Sequence, residues 1–326
     1  MIESTAFIIG SFEISWAAII IFAAVFVWFN LTCALYKGES YRAAAIWVMT
    51  PFSIFFSAFF ARVIYWYSHQ PQFDGILDAL KSKDLFAFSL LGLLPGIVLA
   101  ALLIRLLRLN RSLPALLDAL SPATAAAVSI LYLICLFHPS CRGKMIIEKP
   151  FLQHLPVSYL NYNTQGEPEY RLATFFLGFL VMLVLAIVTL VYYHQHRKTK
   201  GATACFFICF YSAAQFVLES TRYDAGYFPT NGFVSIIQIF SAVCIFGVMI
   251  WHTVFRIRKK AWKGVFVLFW VGELLSMGAT GFLEYWVQRH GDQAYYLHPL
   301  MCISCFAMAL FPILMRYKKP KKKASD

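Results

Sequence analysis

Long apolar runs separated by short charged connections dominate this chain. Stretches near 16–36, 45–66, 86–107, 116–137, 173–193, 202–220, 233–255, 262–283 and 297–315 are almost free of charged residues. At about 1.5 Å per helical residue, each crosses or nearly crosses a hydrocarbon layer of roughly 30 Å. The pattern predicts an all-α polytopic membrane protein with about nine transmembrane helices. A composition of 60% hydrophobic and 13% charged residues points the same way and excludes an ordinary soluble globular class.

The charge changes the picture by its placement. A net charge of +12 would suit nucleic acid if it formed one polar face, but it falls in alternate loops. Lys37 and Arg42, then Arg105, Arg108 and Arg111, then Arg197, Lys198 and Lys200, the 256–263 run and the Arg316–Lys323 tail all fall on one side. The positive-inside rule then predicts an outside N-terminus and an inside C-terminus, and nucleic acid drops out as a partner. The tail Lys318–Lys323 reads as a contact to anionic lipid. The first 15 residues carry no Lys or Arg, so no cleavable signal is expected. Eight cysteines lie mostly within apolar runs, which argues against a disulfide framework, and Cys302-x-x-Cys305 reads as helix packing.

Within the sixth run, Gln215, Glu219 and Arg222 fall at i, i+4 and i+7 and share one helical face. An ionisable side chain inside a membrane is costly unless paired or facing water, and so marks a candidate functional site. A plain interfacial Glu219–Arg222 pair is the alternative. By the predicted topology, Arg62, Ser89 with Gly92 and Gly96, Cys141-Arg142-Gly143, Glu219 with Arg222, and Gln238 with Ser241 all lie at one depth near the outer face. That convergence suits a lipid headgroup, whose phosphate an arginine fork recognises, although interfacial snorkelling gives the same depth. The polar loop 138–172 is either a substrate-contacting arm or a connector.

These residues resemble the prolipoprotein diacylglyceryl transferases over roughly residues 12–258. Phe60-Ala61-Arg62, Ser89-Leu-Leu-Gly92-Leu-Leu-Pro-Gly96, Asp118 with Pro122, Cys135 through Cys141-Arg142-Gly143, Phe216-Val-Leu-Glu219-Ser-Thr-Arg222-Tyr-Asp224 and Ser235-x-x-Gln238-x-x-Ser241 follow the order of that family's elements. The resemblance implies a seven-helix, N-out bacterial inner-membrane enzyme. It would move diacylglyceryl from phosphatidylglycerol to the lipobox cysteine of a prolipoprotein, whose signal peptide it binds, with no cofactor and no metal. It implies Glu219 as a catalytic residue and Arg62, Arg222, Gln215, Tyr132, Gly92 and Gln238 as substrate contacts. The departures are chemical. Leu91 stands at the family histidine, Tyr132 and Gln215 at two family arginines, Ile134 at a glycine and Trp16 at a tyrosine. His138 is a candidate substitute for the missing base. The implied organisation is a family-like membrane domain at 1–258, two further helices at 259–317 and a basic tail at 318–326. An alternative is a catalytically impaired member that binds lipid or lipoprotein as a membrane partner. A transporter lacks support, because no inverted repeat or midplane charge pattern is evident.

Overall fold

The computed structural model describes residues 5–9, 12–36, 44–82, 88–110, 112–137, 143–146, 150–162, 165–223, 225–227, 232–261 and 263–316. A β-hairpin comes first, β1 (Thr5–Ile9) and β2 (Phe12–Ser15), and leads directly into α1 (Trp16–Tyr36). Next come α2 (Ala44–Ser68), the short α3 (Ile76–Lys81), α4 (Leu93–Leu106) and α5 (Leu113–Tyr132). A one-turn helix α6 (Pro150–Gln153) and a second hairpin, β3 (Ser158–Tyr162) with β4 (Pro168–Leu172), precede α7 (Thr174–His196). The chain continues through α8 (Ala202–Ser220), α9 (Ile236–Arg258), α10 (Val265–Arg289) and α11 (Ala294–Leu314).

Eight helices among the described residues are long and apolar enough to span a membrane. The third expected span falls short. Its helical part runs only over Leu90–Leu106, about 25 Å, and opens with a 3-10 turn at Leu90–Gly92. The cause is local: the Ser89 amide donates to the Ala61 carbonyl at 3.0 Å, holding the incoming chain extended against α2. Gly92 and Gly96 then lie directly on the α2 backbone. A Cβ on Gly92 would come within 2.5 Å of Ala61 Cα, and one on Gly96 within 2.4 Å of Ser57 Cα. Small residues at such crossings are what let membrane helices approach without a hydrophobic driving force between them.

α5 is the centre of the bundle, packing on α1, α4, α7 and α8. Its buried face is rich in alanine (Ala115, Ala119, Ala123, Ala125), which admits neighbours closely. Trp28 of α1 donates its indole N–H to Thr124 Oγ1 at 3.2 Å, and Ser129 donates to the Phe179 carbonyl at 2.9 Å. Polar groups that have no water to bond inside the membrane are thereby satisfied between helices. Asp118 closes the other side of the bundle. Its carboxylate accepts the Gly201 amide at 2.6 Å and the Ala204 amide at 2.8 Å, capping α8 from a neighbouring helix. α10 and α11 pair with each other, and α11 packs on α8 and α9, so the last two helices extend the bundle beside the α8 face.

Candidate active site

α8 carries the site at its final two turns. Gln215 and Glu219 are buried on it, and Arg222 lies just past the helix end. Glu219 is 3% exposed, and Arg222 Nη1 approaches its Oε2 at 3.6 Å, so the intramembrane carboxylate is paired. The segment is stitched from both sides. Gly143 bridges Arg222, the Lys144 amide donates to the Thr221 carbonyl at 2.9 Å, and Thr174 Oγ1 at the start of α7 lies 3.1 Å from Thr221 Oγ1. This over-determined backbone fixes where the carboxylate points.

Tyr132 and Gln215 meet each other. The Tyr132 hydroxyl donates to Gln215 Oε1 at 3.1 Å, and the Tyr132 ring lies over Gly178, where a Cβ would come within 2.3 Å. Tyr132, Gln215, Glu219 and Arg222 share with Ser89 and Cys135 a narrow cavity of about 40 Å³. Ser89 Oγ and Gln215 Nε2 are buried without a protein partner among the described residues. Such groups are costly unless a polar ligand or water meets them. Phe88 and Leu131 form a wall common to this polar cavity and to a larger, apolar one of about 240 Å³ between α1, α2, α4 and α5. A polar compartment adjoining an apolar one matches the two-part chemistry of a lipid.

The other expected contacts are distributed differently. Arg62 lines the apolar cavity rather than the polar one, and its Nη1 donates to the Ala79 carbonyl of α3 at 3.2 Å. Gly92 is used in the α2–α4 backbone contact. Gln238 is the N3 residue of a capping box that starts α9: its Oε1 accepts the Ser235 amide at 2.8 Å, and its Nε2 donates to the Phe216 carbonyl at 3.2 Å. Its side chain is used within the protein, and the neighbouring Ile237 lines the cavity instead. His138 lies outside the described residues, as do Cys141 and Arg142.

Sequence reasoning missed Lys144. Its Nζ donates to Gln288 Oε1 of α10 at 3.2 Å, and Gln288 Nε2 in turn bonds Tyr227 OH at 2.8 Å and Glu284 Oε1 at 2.5 Å. Burial pushes the Lys144 ammonium below the usual lysine range, against the opposing pull of Glu284 and Glu219. Ser220 Oγ lies 3.3 Å from His298 Nε2 of α11. The last two helices therefore hold the back of the Glu219 segment with polar contacts. No sequence motif joins residues so far apart; a lysine beside the Cys-Arg-Gly element was the available hint.

A family model described as prolipoprotein diacylglyceryl transferase matches residues 4–254. No curated protein matches the chain.

Proposed function

This chain belongs to the prolipoprotein diacylglyceryl transferase family, and from that membership we propose that it transfers diacylglyceryl from phosphatidylglycerol to the lipobox cysteine of a prolipoprotein. The observation that carries the proposal is the paired Glu219–Arg222 in a polar cavity that shares a wall with an apolar one. In this scheme the acyl chains occupy the apolar compartment, and the glycerol phosphate lies at its polar edge between Arg62 and Arg222. Glu219 takes the thiol proton as sulfur bonds to the glycerol carbon. The carbon–oxygen bond to phosphate breaks, and glycerol phosphate leaves with the electron pair, its charge met by the guanidiniums. Tyr132 and Gln215 supply neutral hydrogen bonds where the family pattern has arginines. The thiol, once deprotonated, is the nucleophile.

The same proposal sets the N-terminus outside and the C-terminus inside, in a bacterial inner membrane, with the signal peptide approaching from the lipid. It divides the chain into a transferase-like domain at 1–258, two additional helices at 259–317 and a basic tail. The α4 segment counts as a ninth, shortened span. A second reading is favoured by the Tyr132–Gln215 bond, which narrows the cavity: a member that binds lipid or lipoprotein without turnover.

Depletion of the host transferase with this chain supplied from a plasmid separates the two. Lipidation of a reporter prolipoprotein, read by gel shift, is expected with the wild type and lost with Glu219→Gln. Full lipidation by Glu219→Gln refutes the site. An absence of lipidation by a well-inserted wild type, repeated with purified protein and phosphatidylglycerol, refutes turnover.

A further inference from the structure

α4 ends in an unusual way. The Arg108 amide donates to the Arg105 carbonyl at 3.1 Å and the Leu109 amide to the Ile104 carbonyl at 3.1 Å, a helix termination that places Arg108 at φ +58°. Glycine ordinarily fills that left-handed position, because a side chain there is strained. Here the side chain is an exposed arginine. Arg105, one turn earlier, donates through Nη1 to the Asn110 carbonyl at 2.8 Å. Asn110 itself is buried and pinned, accepting from Tyr36 OH at 3.2 Å and from the Ser112 amide at 2.8 Å. The arginine pair therefore stands on a built platform.

An open cleft of about 860 Å³ lies against this platform, floored by Phe56, Leu102, Leu103 and Leu106 and edged by Arg105 and Arg108. Leu106 is 78% exposed, and no acidic side chain pairs with either guanidinium among the described residues. The helical part of α4, Leu90–Leu106, is shorter than a hydrocarbon layer of roughly 30 Å, which suits an end at the boundary with the headgroups. Tyr36 joins this end to the end of α1, and Tyr193 OH donates to the Leu35 carbonyl at 3.2 Å, joining it to the end of α7. It is therefore the basic-loop end of the bundle, remote from Glu219.

We propose that this cleft is a binding site for an acidic phospholipid, with its phosphate on Arg105 and Arg108 and an acyl chain along the leucine floor. Two guanidiniums over an apolar groove complement an anionic headgroup with a hydrocarbon tail and do not complement a zwitterionic one. The proposal is independent of the transferase reading, which concerns the opposite end of α4.

The test uses the full-length protein in detergent micelles, titrated with dioleoyl phosphatidylserine and followed by native mass spectrometry and thermal unfolding. Phosphatidylserine is expected to bind and raise the unfolding temperature, while dioleoyl phosphatidylcholine and inorganic phosphate do neither. Arg108→Gly, which suits the left-handed backbone, is expected to fold normally and weaken binding about fivefold, and Arg105→Gln with it to weaken binding by about twenty-five-fold, near fivefold per arginine. Arg222→Gln is expected to leave this binding intact. Equal binding of phosphatidylcholine, unchanged affinity in the double variant, or equal loss in Arg222→Gln overturns the proposal.

Discussion

Replacing Asp118 by alanine tests whether α8 is held in register by a cap supplied from α5. The two acceptor distances, 2.6 Å to the Gly201 amide and 2.8 Å to the Ala204 amide, are those of charge-assisted hydrogen bonds. Hydrogen bonds to a charged group contribute about 1.5–3 kcal/mol each, and the carboxylate also opposes the positive end of the α8 dipole, worth about 0.3–1 kcal/mol or more. Both bonds share one carboxylate and are not additive, so Asp118→Ala is expected to lose about 3 kcal/mol of stability. Asp118→Asn keeps an acceptor but not the charge, and should lose about half as much. Gly201 stands at the N-cap with φ +82° and offers no side chain of its own to compensate. Unfolding in mixed micelles with increasing SDS measures the difference. A loss below about 0.5 kcal/mol for alanine, within the range of ordinary surface changes, refutes the interhelix cap.

Other expectations concern packing and charge. Gly92→Ala drives a methyl into the α2 backbone and is expected to destabilise the chain by about 2 kcal/mol in the same assay. Tyr132→Phe removes the bond to Gln215 but keeps the ring over Gly178, for an expected stability loss of about 1 kcal/mol. Lys144 binds its proton less tightly when folded than in the unfolded chain, whose lysines titrate near about 10.4. The unfolded state then holds more protons between the lowered folded value and that unfolded one, so stability rises with pH across that window. In Lys144→Met, the pH dependence of unfolding should lose that alkaline rise; an unchanged profile refutes the burial of the ammonium.

The helices were legible in the sequence because a membrane leaves few choices: apolar runs of sufficient length must close their own hydrogen bonds. The helical part of α4 starts only at Leu90, where the bond from Ser89 to Ala61 overrides the apolar content of the preceding residues. Both hairpins escaped notice. Thr5–Ile9 and Phe12–Ser15 are too short and too apolar to stand out beside a membrane span. Gln238 carries a local signal as well: Ser235-x-x-Gln238 is a capping-box spacing, and the structure forms that cap at the start of α9. Helical spacing brings Gln215 and Glu219 together, whereas Arg222 lies past the end of α8 and reaches Glu219 from the following turn. The bond from Tyr132 to Gln215, across 83 positions, is beyond any local periodicity.

The bond between Lys144 and Gln288 spans 144 positions of chain. At a synthesis rate of about 5–20 residues per second, roughly 7 to 30 seconds separate the emergence of the two partners. Through that interval the Gly143–Lys144 segment, which pairs with Arg222 and Thr221, has been made, but its brace on α10 has not. Glu219 is thus made before Gln288 and His298, and its segment gains those rear contacts only once α10 and α11 have followed.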